Sequence, residues 1–80
     1  MNRNEIMQKM NAIFVDLFDD NGIVITDETT AADINGWDSL AHITLIAEIE
    51  DAFDIKFTMK EVINMKNIGE MIDVVEREIQ

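Results

Sequence analysis

Asp38-Ser39-Leu40-Ala41-His42-Ile43-Thr44-Leu45-Ile46-Ala47-Glu48-Ile49-Glu50-Asp51-Ala52-Phe53 decides the fold. Asp38 is a favoured N-cap residue, and the run that follows contains no Gly or Pro. At ~100° per residue, Leu45, Ile46, Ile49 and Phe53 gather on one side of a helix. Leu40, Ile43 and Ala47 gather on nearly the opposite side, edged by Glu48 and Asp51. A helix that faces a single core needs one apolar stripe. The second patch is therefore either covered by a neighbouring loop or open to a partner.

Helical periodicity continues on both sides of this segment. Upstream, Ile6, Met10, Ile13, Phe14 and Leu17 share a stripe, with Asn2 or Asn4 as cap. Asp19-Asp20-Asn21-Gly22 ends that helix, with Gly22 as the expected positive-φ residue. Residues 23–37 read as a long loop pinned by Ile23, Ile25, Ile34 and Trp37. Ile23-Val24-Ile25 has strand propensity, but no second strand is there to pair with it. Downstream, Thr58-Met59-Lys60-Glu61 fits a capping box and opens a short third helix, with Met59, Val62 and Ile63 on one face. Asn67-Ile68-Gly69-Glu70 resembles another capping box. It opens a fourth helix with Ile68, Met71, Ile72, Val75 and Ile79 in register. The expected architecture is all-α: one domain over residues 1–80, a small four-helix bundle with a long loop between helices 1 and 2 and a short third helix.

Composition narrows the function. The 80 residues hold 17 Asp and Glu against 6 Lys and Arg, a net charge of −11. Nucleic-acid binding draws its affinity from Lys and Arg displacing counterions, so no nucleic-acid partner is expected. An anionic membrane surface is excluded on the same ground. No Cys is present, which removes disulfides, zinc thiolates and thiol chemistry from the chain itself. The longest apolar run is Ala12-Ile13-Phe14-Val15. A signal-peptide core needs roughly 7 apolar residues and a membrane span roughly 18, so a cytoplasmic monomer without membrane insertion is expected.

The acids are unevenly placed. Between Lys9 and Lys56 there is no Lys or Arg, and that stretch holds eleven Asp and Glu. It reads either as a solvated face that keeps the chain soluble or as a docking surface for basic partners.

Candidate chemistry centres on Ser39. Gly36-Trp37-Asp38-Ser39-Leu40 is not a nucleophile elbow, which needs Gly two residues to each side of Ser. His42, the only histidine, stands one turn beyond Ser39. A Ser–His pair with no third group to orient the imidazole is a weak basis for catalysis, so no enzyme activity and no metal site are expected.

Asp38-Ser39-Leu40 lies mid-chain in an acidic, Cys-free helical sequence. Ile43, Leu45, Ile46 and Ile49 follow it, then Phe53-Asp54-Ile55, a short capped helix and Asn67-Ile68-Gly69-Glu70. This pattern resembles the acyl carrier protein family over nearly the whole chain, most strongly from Asp33 to Ile72. The resemblance implies that Ser39 carries 4′-phosphopantetheine, joined through a phosphodiester by a phosphopantetheinyl transferase that takes it from coenzyme A. It implies that Asp38 caps the helix and helps position metal and serine in the transferase complex. It implies that acyl or aminoacyl groups ride on the arm as thioesters to biosynthetic enzymes with basic docking surfaces. The outward side, Leu40, Ile43 and Ala47 with Glu48 and Asp51, is the expected partner contact. Trp37 stands where fatty-acid carriers usually have a small residue, and Ala41 and Thr44 where they usually have acids. Thr58 replaces a common Pro. The resemblance therefore points to a specialised free-standing carrier from a polyketide, nonribosomal-peptide, polysaccharide or other acyl-transfer pathway.

Two readings of other classes stand beside it. One is an acidic interaction adaptor with no prosthetic group. The other is a degenerate EF-hand calcium site, in which Asp19, Asn21, Gly22 and Glu28 match loop positions three, five, six and twelve but Leu17 stands at its first ligand position.

Overall fold

The computed structural model describes residues 1–79. Its elements are α1 (Arg3–Phe18), α2 (Ser39–Phe53), α3 (Met59–Asn64) and α4 (Ile68–Ile79), with one turn of 3₁₀ helix at Ala31–Asp33 inside the first connection. No strand occurs among the described residues. The all-helical expectation is met.

Each helix starts where its cap is. Asn2 and Glu5 form a reciprocal capping box on α1, with both hydrogen bonds at 2.9 Å. Thr58 and Glu61 do the same for α3. At α4 the box is altered. Asn67 Oδ1 accepts the Glu70 N–H at 2.9 Å, but the Glu70 carboxylate accepts from Lys66 N–H rather than from Asn67. Two further N–H groups of that helix start are taken by loop carbonyls: Ile68 donates to Thr29 and Gly69 to Asp27, both at 2.9 Å. A Cβ on Gly69 would sit 3.0 Å from the Asp27 carbonyl oxygen, a tight contact that the glycine avoids.

The end of α1 departs from expectation. Gly22 is not in the left-handed region; Asp19 is, at φ 50°. Asp54 ends α2 in the same way, at φ 54°. Aspartate tolerates this conformation better than most non-glycine residues. Gly22 instead donates its N–H to Asp20 Oδ1.

The core lies between α1, α2 and α4. Ile6, Met10 and Phe14 of α1 are fully enclosed, as are Leu45 and Ile49 of α2 and Ile68, Ile72 and Val75 of α4. Enclosing a side chain of this size stabilises by about 1.5–3 kcal/mol each before entropy is counted. The alternation of Ile23-Val24-Ile25 is preserved without a strand: both Ile are buried and Val24 is exposed. The side-chain amide of Asn11 in α1 does the work of a partner strand. Its Nδ2–H donates to the Ile23 carbonyl at 3.2 Å, and its Oδ1 accepts the Ile25 N–H at 2.8 Å.

Helix α3 is the most exposed of the four. None of its residues is buried. Met59 and Ile63 are 74% and 71% exposed, and Val62 is only half-buried. Six residues are too few to hold a helix by local interactions, so α3 depends on side-chain ties to its neighbours. One is the ion pair between Arg77 of α4 and Glu61. Thr58 N–H and then Arg77 hold the Glu61 carboxyl below its ordinary pKa.

Arg3 gathers much of the remaining charge, pairing with Asp27, Asp73 and Glu76. The acids between Asp33 and Asp54 have no ion-pair partner among the described residues. Their mutual repulsion should be relieved by screening and by weak cation binding to the native state. Added salt or millimolar magnesium is expected to raise the thermal midpoint, measured by circular dichroism. A midpoint indifferent to both would show that these carboxylates do not strain the fold.

Candidate functional site

The site is built at the start of α2. Asp38 has extended backbone, and its Oδ1 accepts the Ala41 N–H at 2.8 Å while its carbonyl accepts from His42 N–H. This cap fixes where the helix begins and leaves Ser39 as its first residue. Gly36, at φ 91°, lets the chain turn into this start without steric cost. Ser39 is exposed, and no hydrogen bond to its hydroxyl occurs among the described residues. A free hydroxyl on a helix N-terminus suits a phosphoryl group, because the first-turn N–H groups and the helix dipole favour negative charge there.

The neighbouring histidine does not activate it. The Trp37 indole Nε1–H donates to His42 Nδ1 at 3.1 Å. His42 Nε2 lies 3.3 Å from the Val62 carbonyl oxygen. Both ring nitrogens are thus engaged away from Ser39, so the imidazole is not placed to act as a base on its hydroxyl. The indole stacks on the imidazole at 5.9 Å and packs edge-on against Phe14 at 5.2 Å. Trp37, expected only as a loop pin, thus joins the core to the rim of the site.

Beside Ser39 opens a cleft of about 550 Å³ between α2 and α3. Trp37, His42 and Ile43 form one wall, and Met59, Val62 and Ile63 the other. Met65 and Met71 extend its lining, so three flexible thioether side chains, Met59, Met65 and Met71, border this space.

Of the expected partner residues, Leu40 and Ile43 are 77% and 61% exposed, and no loop covers them. Ala47, Glu48 and Asp51 are exposed too, but they line a separate shallow groove of about 490 Å³ with Ile13 and Thr44. The five do not share one depression: Ile43 lies on the Ser39 cleft and the acidic group a turn or more away, towards α1. Met59 and Ile63 are apolar residues at this site that periodicity placed on one face of α3 without saying what the face meets. Their i, i+4 spacing was visible in the sequence; their exposure was not.

The calcium-loop segment is used otherwise. Leu17 belongs to α1, Asp19 is its C-cap residue, and Asp20 is bonded to Gly22. No group of three His, Asp or Glu side chains is placed to hold a metal ion among the described residues.

Residues 8–75 match the family described as "Phosphopantetheine attachment site". An acyl carrier protein of Thermosynechococcus vestitus is 30% identical over 80 residues, 99% of this chain and 98% of that protein. One from Streptococcus pyogenes is 35% identical over 71 residues, covering 89% and 92%. Among solved structures, the holo acyl carrier protein of Geobacter metallireducens superposes with a TM-score of 0.86 at 41% identity, over 91% of this chain and 84% of that one. The chain belongs to the acyl carrier protein family. It is a non-catalytic carrier of acyl groups with a covalently attached 4′-phosphopantetheine, and members of this family typically work with a phosphopantetheinyl transferase and acyl-handling enzymes. No described helix is long and apolar enough to cross a membrane.

Proposed function

We propose that Ser39 is the attachment residue, and that residues 1–80 act as one carrier domain for an acyl or aminoacyl group in a specialised cytoplasmic pathway. The observation that carries this reading is the exposed, unpartnered hydroxyl at the capped start of α2, at the mouth of the cleft. Loading joins Ser39 Oγ to the phosphopantetheine phosphorus of coenzyme A as the pyrophosphate linkage breaks. The adenosine-phosphate half leaves with the electron pair, and the hydroxyl proton passes to a base supplied by the transferase. The first turn of α2 offers N–H donors to the resulting phosphodiester. The arm supplies the thiol, which this Cys-free chain lacks, that holds the acyl group as a thioester.

Asp38 fixes the serine's position through its cap, and its carboxylate stands beside Ser39 for the transferase's metal ion. Leu40 and Ile43 provide apolar contact for the transferase and for the enzymes that load and unload the arm. Ala47, Glu48 and Asp51 face the basic surfaces of those partners. With coenzyme A, magnesium and a transferase of broad range, the chain is expected to gain the mass of one phosphopantetheine, mapped by peptide mass spectrometry to Ser39. A chain that several such transferases leave unmodified would overturn the assignment.

A further inference from the structure

We propose that His42 is a positioning residue that caps the C-terminal end of α3 from α2, and so holds the two halves of the apolar docking face in register beside Ser39. The docking half of this inference rests on the reading just given.

The hydrogen bonds fix the imidazole's state. An indole N–H can only donate, so Nδ1 of His42 must accept it. The ring proton then sits on Nε2 and is donated to the Val62 carbonyl. That carbonyl needs a partner. It is among the last four of α3, which a helix leaves without internal donors. The Met65 N–H goes to the Glu61 carbonyl. The Lys66 N–H, which a longer helix would give to Val62, goes instead to the Glu70 carboxylate at 3.2 Å. His42 fills the gap from twenty residues away.

The tie matters because that end of α3 is otherwise held by the partly buried side chains of Val62 and Met65, which pack against the core, and by no other hydrogen bond from α2 among the described residues. The helix buries no residue of its own. Its other side-chain tie to a neighbouring helix, Glu61–Arg77, points to α4 rather than to the cleft. On the cleft side, Trp37 fixes the orientation of His42, and Trp37 is itself anchored against Phe14 in the core. The chain of contact runs from the core through Trp37 and His42 to Val62. It sets the distance between Ile43 on α2 and Met59 and Ile63 on α3, the exposed apolar residues that a docking enzyme would meet together.

The test is His42→Phe, which keeps an aromatic ring beside Trp37 and removes both hydrogen bonds. In the unmodified chain, amides of Ile63, Asn64 and Met65 are expected to exchange about two- to tenfold faster, the range for one net hydrogen bond. Amides of α1 should not change, and the Trp37 indole N–H resonance should shift. In transferase assays KM for this chain should rise by about two- to tenfold, again one hydrogen bond's worth, with kcat unchanged. His42→Gln, which offers a donor and an acceptor, should recover part of both effects. Wild-type exchange in a folded His42→Phe chain would overturn the tie. Faster exchange with an unchanged KM would overturn its role in docking. If His42→Phe does not fold, Trp37→Phe takes its place, since it keeps a ring against Phe14 and removes the donor that orients His42. Exchange is read without the arm, so a chain that no transferase loads would defeat the Ser39 assignment, and the docking half with it, while the tie is still judged on exchange alone.

Discussion

Ser39→Ala is expected to leave a folded chain that takes up no phosphopantetheine. The two halves of this expectation have separate causes. Folding is spared because the Ser39 hydroxyl has no hydrogen-bond partner among the described residues, and because the cap of α2 is Asp38. Alanine is also the better helix former at an exposed first-turn position. The melting midpoint should therefore shift by no more than the equivalent of about 0.5 kcal/mol, the range of an ordinary surface substitution. Loading is lost outright, because no other hydroxyl occupies a comparable place. Thr44 Oγ1 lies a turn further along α2 and is bonded to the Leu40 carbonyl. Thr58 Oγ1 is occupied in the capping box of α3. Intact mass after transferase treatment and a circular dichroism melt decide the two halves independently. A modified Ser39→Ala chain would place the arm elsewhere.

The sequence made α2 legible to the residue, since its cap, its core stripe and its second apolar side are all local features. Asp38 caps, and Leu45, Ile46, Ile49 and Phe53 are buried. Ile43 and Leu40 are open, which periodicity had left undecided between burial under the loop and exposure. The limit of that method shows at α3. Spacing tells which residues share a face, but not whether anything covers the face. Met59, Val62 and Ile63 do run together, yet two of them look outward. The remaining surprises are non-local. Asn11 stands in for a strand at Ile23 and Ile25, and loop carbonyls of Asp27 and Thr29 cap α4. In the sequence His42 is notable only for standing one turn beyond Ser39. Its meaning lies in the Val62 carbonyl, which no local pattern links to it.

Ile43→Asp is expected to lower kcat/KM for phosphopantetheine transfer by about 30-fold, the equivalent of about 2 kcal/mol for losing a central apolar anchor. Ile43 is 61% exposed and lines the cleft that opens at Ser39, so an enzyme reaching Oγ must pass close to it. Its exposure also means that a carboxylate there costs little in the free chain, and circular dichroism should report an unchanged fold. Glu48→Lys/Asp51→Lys should behave differently. These carboxylates sit in the groove beside Ile13 and Thr44, away from the serine, and are suited to steering rather than contact. Reversing both should slow association at low salt, and the deficit should fade as ionic strength shortens the Debye length to about 10 Å at 0.1 M. The Ile43→Asp deficit should persist at the same salt, because desolvated apolar contact is not screened. The uncharged Ala41 and Thr44 leave Asp38 as the one acid at the serine end of α2, so the apolar contribution should dominate near Ser39 and the electrostatic one further along the helix. A folded Ile43→Asp chain loaded at the wild-type rate would remove the docking face. A charge-reversed chain with wild-type rate and salt dependence would remove the steering while leaving Ser39 as the attachment residue.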